Sequence, residues 1–87
     1  MWEKIVIKKA EILPKEVEVC QWTGHNPDEM MVFARNAIHD IYENSYGFCC
    51  WIYITRLSVG DYVIKKDNKV IDVCSEEIFK ERYKFIR

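Results

Sequence analysis

Residues 58–74 read SVGDYVIKKDNKVIDVC, and this stretch decides most of the predicted fold. Residues 62–65 and 69–74 are two mainly apolar runs of strand length, which predicts two paired strands. Between the runs lie Asp67 and Asn68, two residue types that tolerate the positive φ of a tight hairpin turn. The stretch therefore predicts an antiparallel β-hairpin.

Three further segments predict strands, and one predicts a helix after the hairpin. In residues 15–23, valines alternate with glutamates at the spacing of a half-buried strand. Residues 48–55 are rich in β-branched and aromatic side chains, which is typical of a central strand. Residues 3–9 place charges on both sides of an apolar triplet and predict a short strand that ends before Pro14. Ser75, followed by two glutamates, predicts the N-cap of a short C-terminal helix.

A helix is predicted to begin near Asn26, which is followed by a proline and two acidic residues. We expect Asn26 to cap the helix and Glu29 to reach back to the N–H group of the cap. Apolar residues then recur at helical spacing, which predicts one long helix over residues 27–42. Residues 38–42 have an alternative interpretation, a strand that turns back through residues 44–47. The unbroken apolar stripe favours the helix.

Length and composition indicate a single soluble domain that spans residues 1–87. Hydrophobic residues make up 49% and charged residues 31% of the chain, a balance that argues against disorder. We predict an α+β fold, in which a small, mainly antiparallel sheet of about four or five strands packs on the one long helix, with a short C-terminal helix after it.

The charge and hydropathy of the chain indicate the cellular compartment in which the protein acts. The net charge of −1 gives no strong field that would attract nucleic acid or an anionic membrane. The longest uncharged stretch, residues 44–55, is far shorter than the ~20 apolar residues of a spanning helix. The charged N-terminus lacks the apolar segment of a signal peptide. We therefore expect a cytoplasmic protein with no membrane partner.

The cysteines and histidines predict neither a metal site nor a catalytic site. Because the chain has no Cys-x-x-Cys and its histidines do not stand at zinc-ligand spacing, no metal or other cofactor is expected. A Cys20–His25 dyad is an alternative, but a core thiol beside a loop histidine is the simpler interpretation. We therefore predict that the protein is not an enzyme. The cysteines, which are expected to be reduced and mostly buried, are Cys20, Cys49, Cys50 and Cys74.

Aromatic side chains dominate the predicted binding surface. Three Trp, five Tyr and four Phe are more than a core of this size can hold, so some are expected at the surface, where ligands and partners bind. Asp61 is expected to hold its own turn rather than to act as a general base. An edge strand and exposed aromatics also favour a homodimer. The residues predicted to bind a ligand or partner are Trp22, Trp51, Tyr53, Asp61, Tyr62 and Lys65.

Six lysines suggest an alternative surface that binds nucleic acid, with Trp51 and Tyr53 as stacking platforms. A sheet edge kept soluble by lysines is the simpler interpretation, because the net charge is close to zero. These lysines are Lys4, Lys8, Lys9, Lys65, Lys66 and Lys69.

Two motifs of the chain resemble a known pattern. Residues 19–24, VCQWTG, resemble the VQWTG near the start of many small phage and prophage proteins. Residues 59–65, VGDYVIK, followed by Cys74 and by residues 77–83, EIFKERY, resemble the C-terminal pattern of those proteins, which are called PGDYG-type proteins. The two motifs keep their order and approximate spacing, and the middle of the chain is not covered.

The chain departs from this pattern at Val59, where proline is usual, at residues 66–69, which replace a glycine-containing turn, and at Asp72, where an aromatic is common. The resemblance implies an accessory protein that a phage or prophage encodes and that works in the cytoplasm of the host cell. We expect a non-catalytic binding protein that inhibits a host defence protein or sequesters its nucleotide signal. Its partner would then be a host protein or a small nucleotide ligand. The alternative is a nucleic-acid-binding or regulatory module.

Overall fold

The structure is a computed structural model that describes residues 8–12 and 15–85. The helices are α1 (Pro27–Ala34) and α2 (Glu76–Arg82), and a 3-10 turn (Arg35–Ala37) follows α1. The strands are β1 (Lys8–Ile12), β2 (Lys15–Gln21), β3 (Ile38–Asn44), β4 (Gly47–Ile52), β5 (Thr55–Arg56), β6 (Tyr62–Lys66), β7 (Lys69–Cys74) and β8 (Lys84–Phe85). Within the described ranges, neither helix has the length and apolar character needed to cross a membrane.

The strands form two antiparallel sheets rather than one. The larger sheet has five strands in the order β7-β6-β2-β1-β8, and the smaller has three in the order β3-β4-β5. The predicted architecture, one sheet packed on one long helix, is therefore wrong. In place of a helix over residues 27–42, the chain forms the eight-residue α1, the 3-10 turn and β3.

The apolar stripe that predicted the long helix belongs to two different elements. On α1 it buries Met30 and Phe33, and on β3 it places Ile38 and Ile41 against the core. β-Branched side chains favour strands, and a two-residue turn after Asn44 returns the chain as β4. β3 pairs with one edge of β4 and satisfies the backbone N–H and C=O groups there. If residues 38–42 formed a helix instead, these groups of β4 would lose their partners. The alternative interpretation of residues 38–42, a strand, is the correct one.

The hairpin predicted within residues 58–74 is confirmed. β6 and β7 pair antiparallel along their length. The turn residues Asp67 and Asn68 have φ values of 52° and 65°, the left-handed conformation that these residue types tolerate.

The strand predicted for residues 48–55 is wrong at its end. β4 stops at Ile52, Tyr53 and Ile54 form a turn, and β5 begins after the turn. Ile52 pairs with Thr55, so this turn also has two residues. The prediction had placed Tyr53 inside a strand, whereas it lies at the tip of a hairpin.

The two strands predicted nearest the N-terminus differ in outcome. Of the strand predicted for residues 3–9, residues 3–7 lie outside the described residues, as does Pro14, and β1 begins at Lys8. The strand predicted for residues 15–23 is present as β2, which pairs with β1 and ends at Gln21.

Two apolar clusters cover both faces of the five-stranded sheet. The first joins β2 and β6 to α1 and β4, and its buried members include Cys20, Trp22, Met30, Phe33, Ile52 and Val63. The second lies on the opposite face, against α2, and its members include Val17, Val19, Tyr62, Ile64, Phe79 and Tyr83. Because side chains alternate along a strand, neighbouring residues of β6 enter different clusters.

The Asn26 side chain does not cap α1, contrary to the prediction. Its Oδ1 accepts hydrogen bonds from the Thr23 N–H group at 2.9 Å and from the Thr23 hydroxyl at 3.0 Å. Its Nδ2 donates to the Gln21 carbonyl at 2.9 Å and to the Glu29 carboxylate at 2.7 Å. Asn26 thus ties the end of β2 to the first turn of α1.

Asn26→Ala should destabilise the fold by about 2 kcal/mol, because it removes the side-chain hydrogen bonds to Thr23 and the partly buried ones to Gln21 and Glu29. Ser75→Ala should cost only about 1 kcal/mol, because it removes a single exposed bond at the start of α2. That bond, which confirms the predicted cap, runs from the Ile78 N–H group to Ser75 Oγ at 3.3 Å. Urea unfolding followed by circular dichroism measures both costs. An Asn26→Ala cost equal to or below that of Ser75→Ala would contradict this role of Asn26.

Candidate functional site

An open cleft of about 700 Å³ lies where the C-terminal end of α1 approaches the β6–β7 hairpin. The 3-10 turn and the β4–β5 turn complete its walls. The volume is within the range of roughly 300–1,000 Å³ that small-molecule sites occupy. The polar or aromatic side chains that line the cleft are Arg35, Asn36, Tyr53, Lys65, Asn68 and Lys69.

Lys65 is the best-defined cation of this cleft. Its half-buried side chain leaves β6 on the face that carries α1, and Nζ donates a hydrogen bond to the Phe33 carbonyl at 3.0 Å. The same Nζ lies 4.3 Å from the centre of the Phe33 ring. Phe33 is in the last turn of α1, where carbonyls lack intrahelical partners and carry partial negative charge. An ammonium group has three N–H donors, and the bond to Phe33 uses one of them.

Two further cations make the cleft strongly positive. Arg35 and Lys69 are exposed, and neither forms an ion pair with another residue in the described part of the chain. No Asp or Glu is among the described residues that line the cleft. Three cations without a carboxylate in one concave site raise the local concentration of anions. The arrangement therefore favours an anionic ligand.

A second depression, on the other side of Lys65, has the opposite character. Its volume is about 340 Å³, and Glu16, Glu18 and Asp67 line it together with Lys65 and a neighbouring lysine. Carboxylates close to the path of a phosphate chain repel it. Among the described residues, the lining past Lys65 therefore carries more acidic than basic side chains, unlike the lining of the cleft.

Tyr53 forms part of the cleft wall from the tip of the β4–β5 turn. Its φ is +53°, which is a genuine outlier for a bulky residue other than glycine. The Tyr53 N–H group donates to the Ala37 carbonyl at 2.9 Å, which holds the turn against the 3-10 turn. The side chain is 54% exposed. The same cleft is thus lined by an aromatic residue and by three cations.

The other predicted binding residues lie outside this cleft. Trp22 is buried in the first cluster, and the Tyr62 ring stacks on Phe79 with centroids 3.9 Å apart in the second. Trp51 is half-buried on β4. Asp61 accepts a hydrogen bond from the Ser58 N–H group at 2.9 Å, so it holds its own turn as expected.

Of the predicted binding residues, the structure brings only Tyr53 and Lys65 together at the cleft. Lys69, which the nucleic-acid alternative included, joins them. Sequence reasoning missed Arg35, because it placed this residue inside a long helix with no reason to face the hairpin. Lys4 lies outside the described residues, and the side chains of Lys8 and Lys9 do so as well.

The thiols of Cys20 and Cys50 are placed for packing rather than for nucleophilic chemistry. All four cysteines are buried, as predicted. Burial, followed by the charge and hydrogen bond of Glu29, raises the pKa of the Cys20 thiol to about 12, and burial raises the pKa of Cys50 to about 11. A nucleophilic cysteine needs the thiolate near neutral pH. Cys20 is fully buried while His25 is exposed, so the arrangement disfavours the Cys20–His25 dyad.

The two motifs that carry the phage resemblance lie side by side in the structure. Gln21 pairs with Tyr62 across β2 and β6, and Gly60 N donates to the Trp22 carbonyl at 2.7 Å. No protein-family model, curated protein or solved structure matches this chain. The resemblance to PGDYG-type proteins stays a prediction.

Stability should fall as pH rises from 9 towards 12, and Cys20 should account for part of that fall. The pKa of Cys20 is about 12 in the folded state against an ordinary value of 9.0, so between these values the unfolded state loses a proton that the folded state keeps. Stability is therefore full below pH 9 and decreases by up to about 1.4 kcal/mol per pH unit for this thiol.

Urea unfolding across this pH range, for the wild type and Cys20→Ala, measures the contribution. The variant should be less stable near neutral pH, because it leaves a small cavity, but its stability should decrease less steeply above pH 9. Parallel pH profiles for the two proteins would contradict the raised pKa.

Proposed function

We propose that this protein acts by binding rather than by catalysis, and that its cleft sequesters a small phosphorylated ligand. The observation that carries the proposal is the convergence of Arg35, Lys65 and Lys69 on one concave site with no carboxylate in its described lining. Guanidinium and ammonium groups are the side chains that bind phosphate oxygens best. Lys65 is already held in place by Phe33, so little side-chain entropy is lost when a phosphate binds there.

The composition of the cleft supports binding without turnover. Hydrolysis or transfer of a phosphoryl group needs a residue that activates the nucleophile, most often His, Asp or Glu, or a nucleophilic thiol. None of these residue types is among the described residues that line the cleft. The site therefore offers positive charge, amide groups and an aromatic ring, which are groups that bind a ligand.

A small ligand fits this surface better than a nucleic-acid strand. A strand needs a positive groove that follows its backbone over several nucleotides. Beyond Lys65 the described lining carries Glu16, Glu18 and Asp67 beside a single further lysine, Lys66, so it is not a positive groove. The cleft is thus a local positive site whose size suits one small molecule.

The biological role within this proposal rests on the resemblance to PGDYG-type proteins. A phage-encoded protein that removes a phosphorylated signal from the host cytoplasm would silence a defence pathway without any catalytic centre. Such a protein removes one signal molecule for each binding site, so a small protein with one site is sufficient. The alternative within the same expectation is a protein that binds a host protein directly. Capture experiments distinguish binding of a host protein from binding of a small phosphorylated ligand.

Isothermal titration calorimetry with inorganic triphosphate tests the cleft directly. We expect binding that weakens steeply between about 50 mM and about 300 mM salt, because the contacts are ionic. Lys69→Met and Arg35→Met should each weaken binding about tenfold, since each removes a charge-assisted hydrogen bond to the anion. Lys65→Met should do the same, provided that circular dichroism shows an intact fold.

Lys80→Met is the matched control, because Lys80 is an exposed lysine on α2, on the opposite face of the sheet. It should leave triphosphate affinity unchanged. Phosphorus NMR of the mixture should show intact triphosphate after prolonged incubation. Equal losses in Lys69→Met and Lys80→Met would sink the proposed site, and steady hydrolysis that Lys69→Met abolishes would sink the non-catalytic assignment.

A further inference from the structure

The two-residue β4–β5 turn requires a positive φ at position 53, but the fold itself does not explain why a tyrosine occupies it. Among the described residues other than glycine, those with positive φ are Tyr53, Asp67 and Asn68. Asp and Asn are the residue types that tolerate this conformation, and the chain uses them at the β6–β7 turn. At the β4–β5 turn it uses tyrosine, for which the left-handed conformation is strained.

Burial does not compensate for this strain. The Tyr53 side chain is 54% exposed, and the next residue of the turn, Ile54, is 91% exposed. The hydrogen bond that ties Tyr53 to the 3-10 turn runs from its backbone N–H group to the Ala37 carbonyl, and any residue except proline could make it. A side chain that is strained, exposed and set in a cleft wall indicates a role outside the folded protein's own packing.

We propose that Tyr53 is the stacking platform of the cleft, so that the ligand is a nucleotide whose base lies on the Tyr53 ring while its phosphates face Arg35, Lys65 and Lys69. This inference rests on the proposed function and narrows it from phosphorylated ligands in general to those that carry a planar ring. Every nucleobase has a face that stacks on an aromatic side chain. The amide groups of Asn36 and Asn68, also in the cleft lining, offer donors and acceptors for the edge of a base.

In this arrangement, the cations of the cleft and the ring of Tyr53 have different roles in binding. The cations bind phosphate whatever is attached to it, so they supply affinity without distinguishing nucleotides from inorganic polyphosphate. The ring of Tyr53 adds a contact that only a ring-bearing ligand can use. Tyr53 is therefore the residue that determines specificity in the cleft.

The test compares nucleoside triphosphates with inorganic triphosphate on three proteins, namely the wild type, Tyr53→Phe and Tyr53→Asn. The wild type should bind at least one nucleoside triphosphate about tenfold more tightly than inorganic triphosphate, and Tyr53→Phe should keep this preference. Tyr53→Asn should bind both ligands with the affinity of the wild type for inorganic triphosphate. Because asparagine tolerates positive φ, this variant should also melt about 4 °C or more above the wild type.

Tyr53→Asn should thus raise the melting temperature and weaken nucleotide binding. These opposite effects are expected if the backbone strain at Tyr53 is retained because the ring binds the ligand. A wild type that binds nucleoside and inorganic triphosphates equally would overturn the stacking role and leave the proposed anion site standing. A preference for nucleotides that survives in Tyr53→Asn, or a lower melting temperature for that variant, would overturn it as well. Failure of the wild type to bind either ligand would refute the proposed function and this inference together.

Discussion

The pairing of β2 with β6 is the constraint on which the rest of the structure depends. The two strands are far apart in sequence, and their ladder runs from Glu18↔Lys65 to Gln21↔Tyr62. It continues beyond the strands, because Trp22 N donates to the Asp61 carbonyl at 2.8 Å. These central strands carry both apolar clusters, one on each face. A slip of one residue would exchange the faces and bury Lys65 against α2.

The candidate site follows from the same pairing. Alternation along β6 sends Ile64 towards α2 and Lys65 towards α1, where its ammonium group reaches the Phe33 carbonyl. The hairpin turn then brings Lys69 back beside it, and the end of α1 supplies Arg35. The positive cleft is thus a product of sheet register and of the early end of the helix. The sheet register and the end of α1 are each stabilised by the packing of the fold itself. The proposed function needs no further structural element.

Local signals predicted the β6–β7 turn and the cap of α2 correctly, but they predicted the role of Asn26 wrongly. The hairpin turn at Asp67 and the cap at Ser75 depend on residues within a few positions of each other, and both are present. The segment of residues 38–42 was predicted wrongly because its apolar spacing fits a helix and its β-branched residues fit a strand. Pairing with β4 decided between them, and that is a contact the local pattern does not contain. Arg35 was missed for the same reason, since its position depends on where α1 ends.

By itself, the sequence determined the turn at Asp67 and Asn68, most strand segments, the burial of the thiols and two of the residues that now line the cleft, Tyr53 and Lys65. These features depend on local conformational preference and on the alternation of apolar and polar side chains. The tertiary structure alone decided that the strands divide into two sheets, that α1 ends at Ala34 and that the cations converge. Convergence is a matter of distances between segments remote in the chain, and backbone pairing sets those distances only once the whole chain has folded.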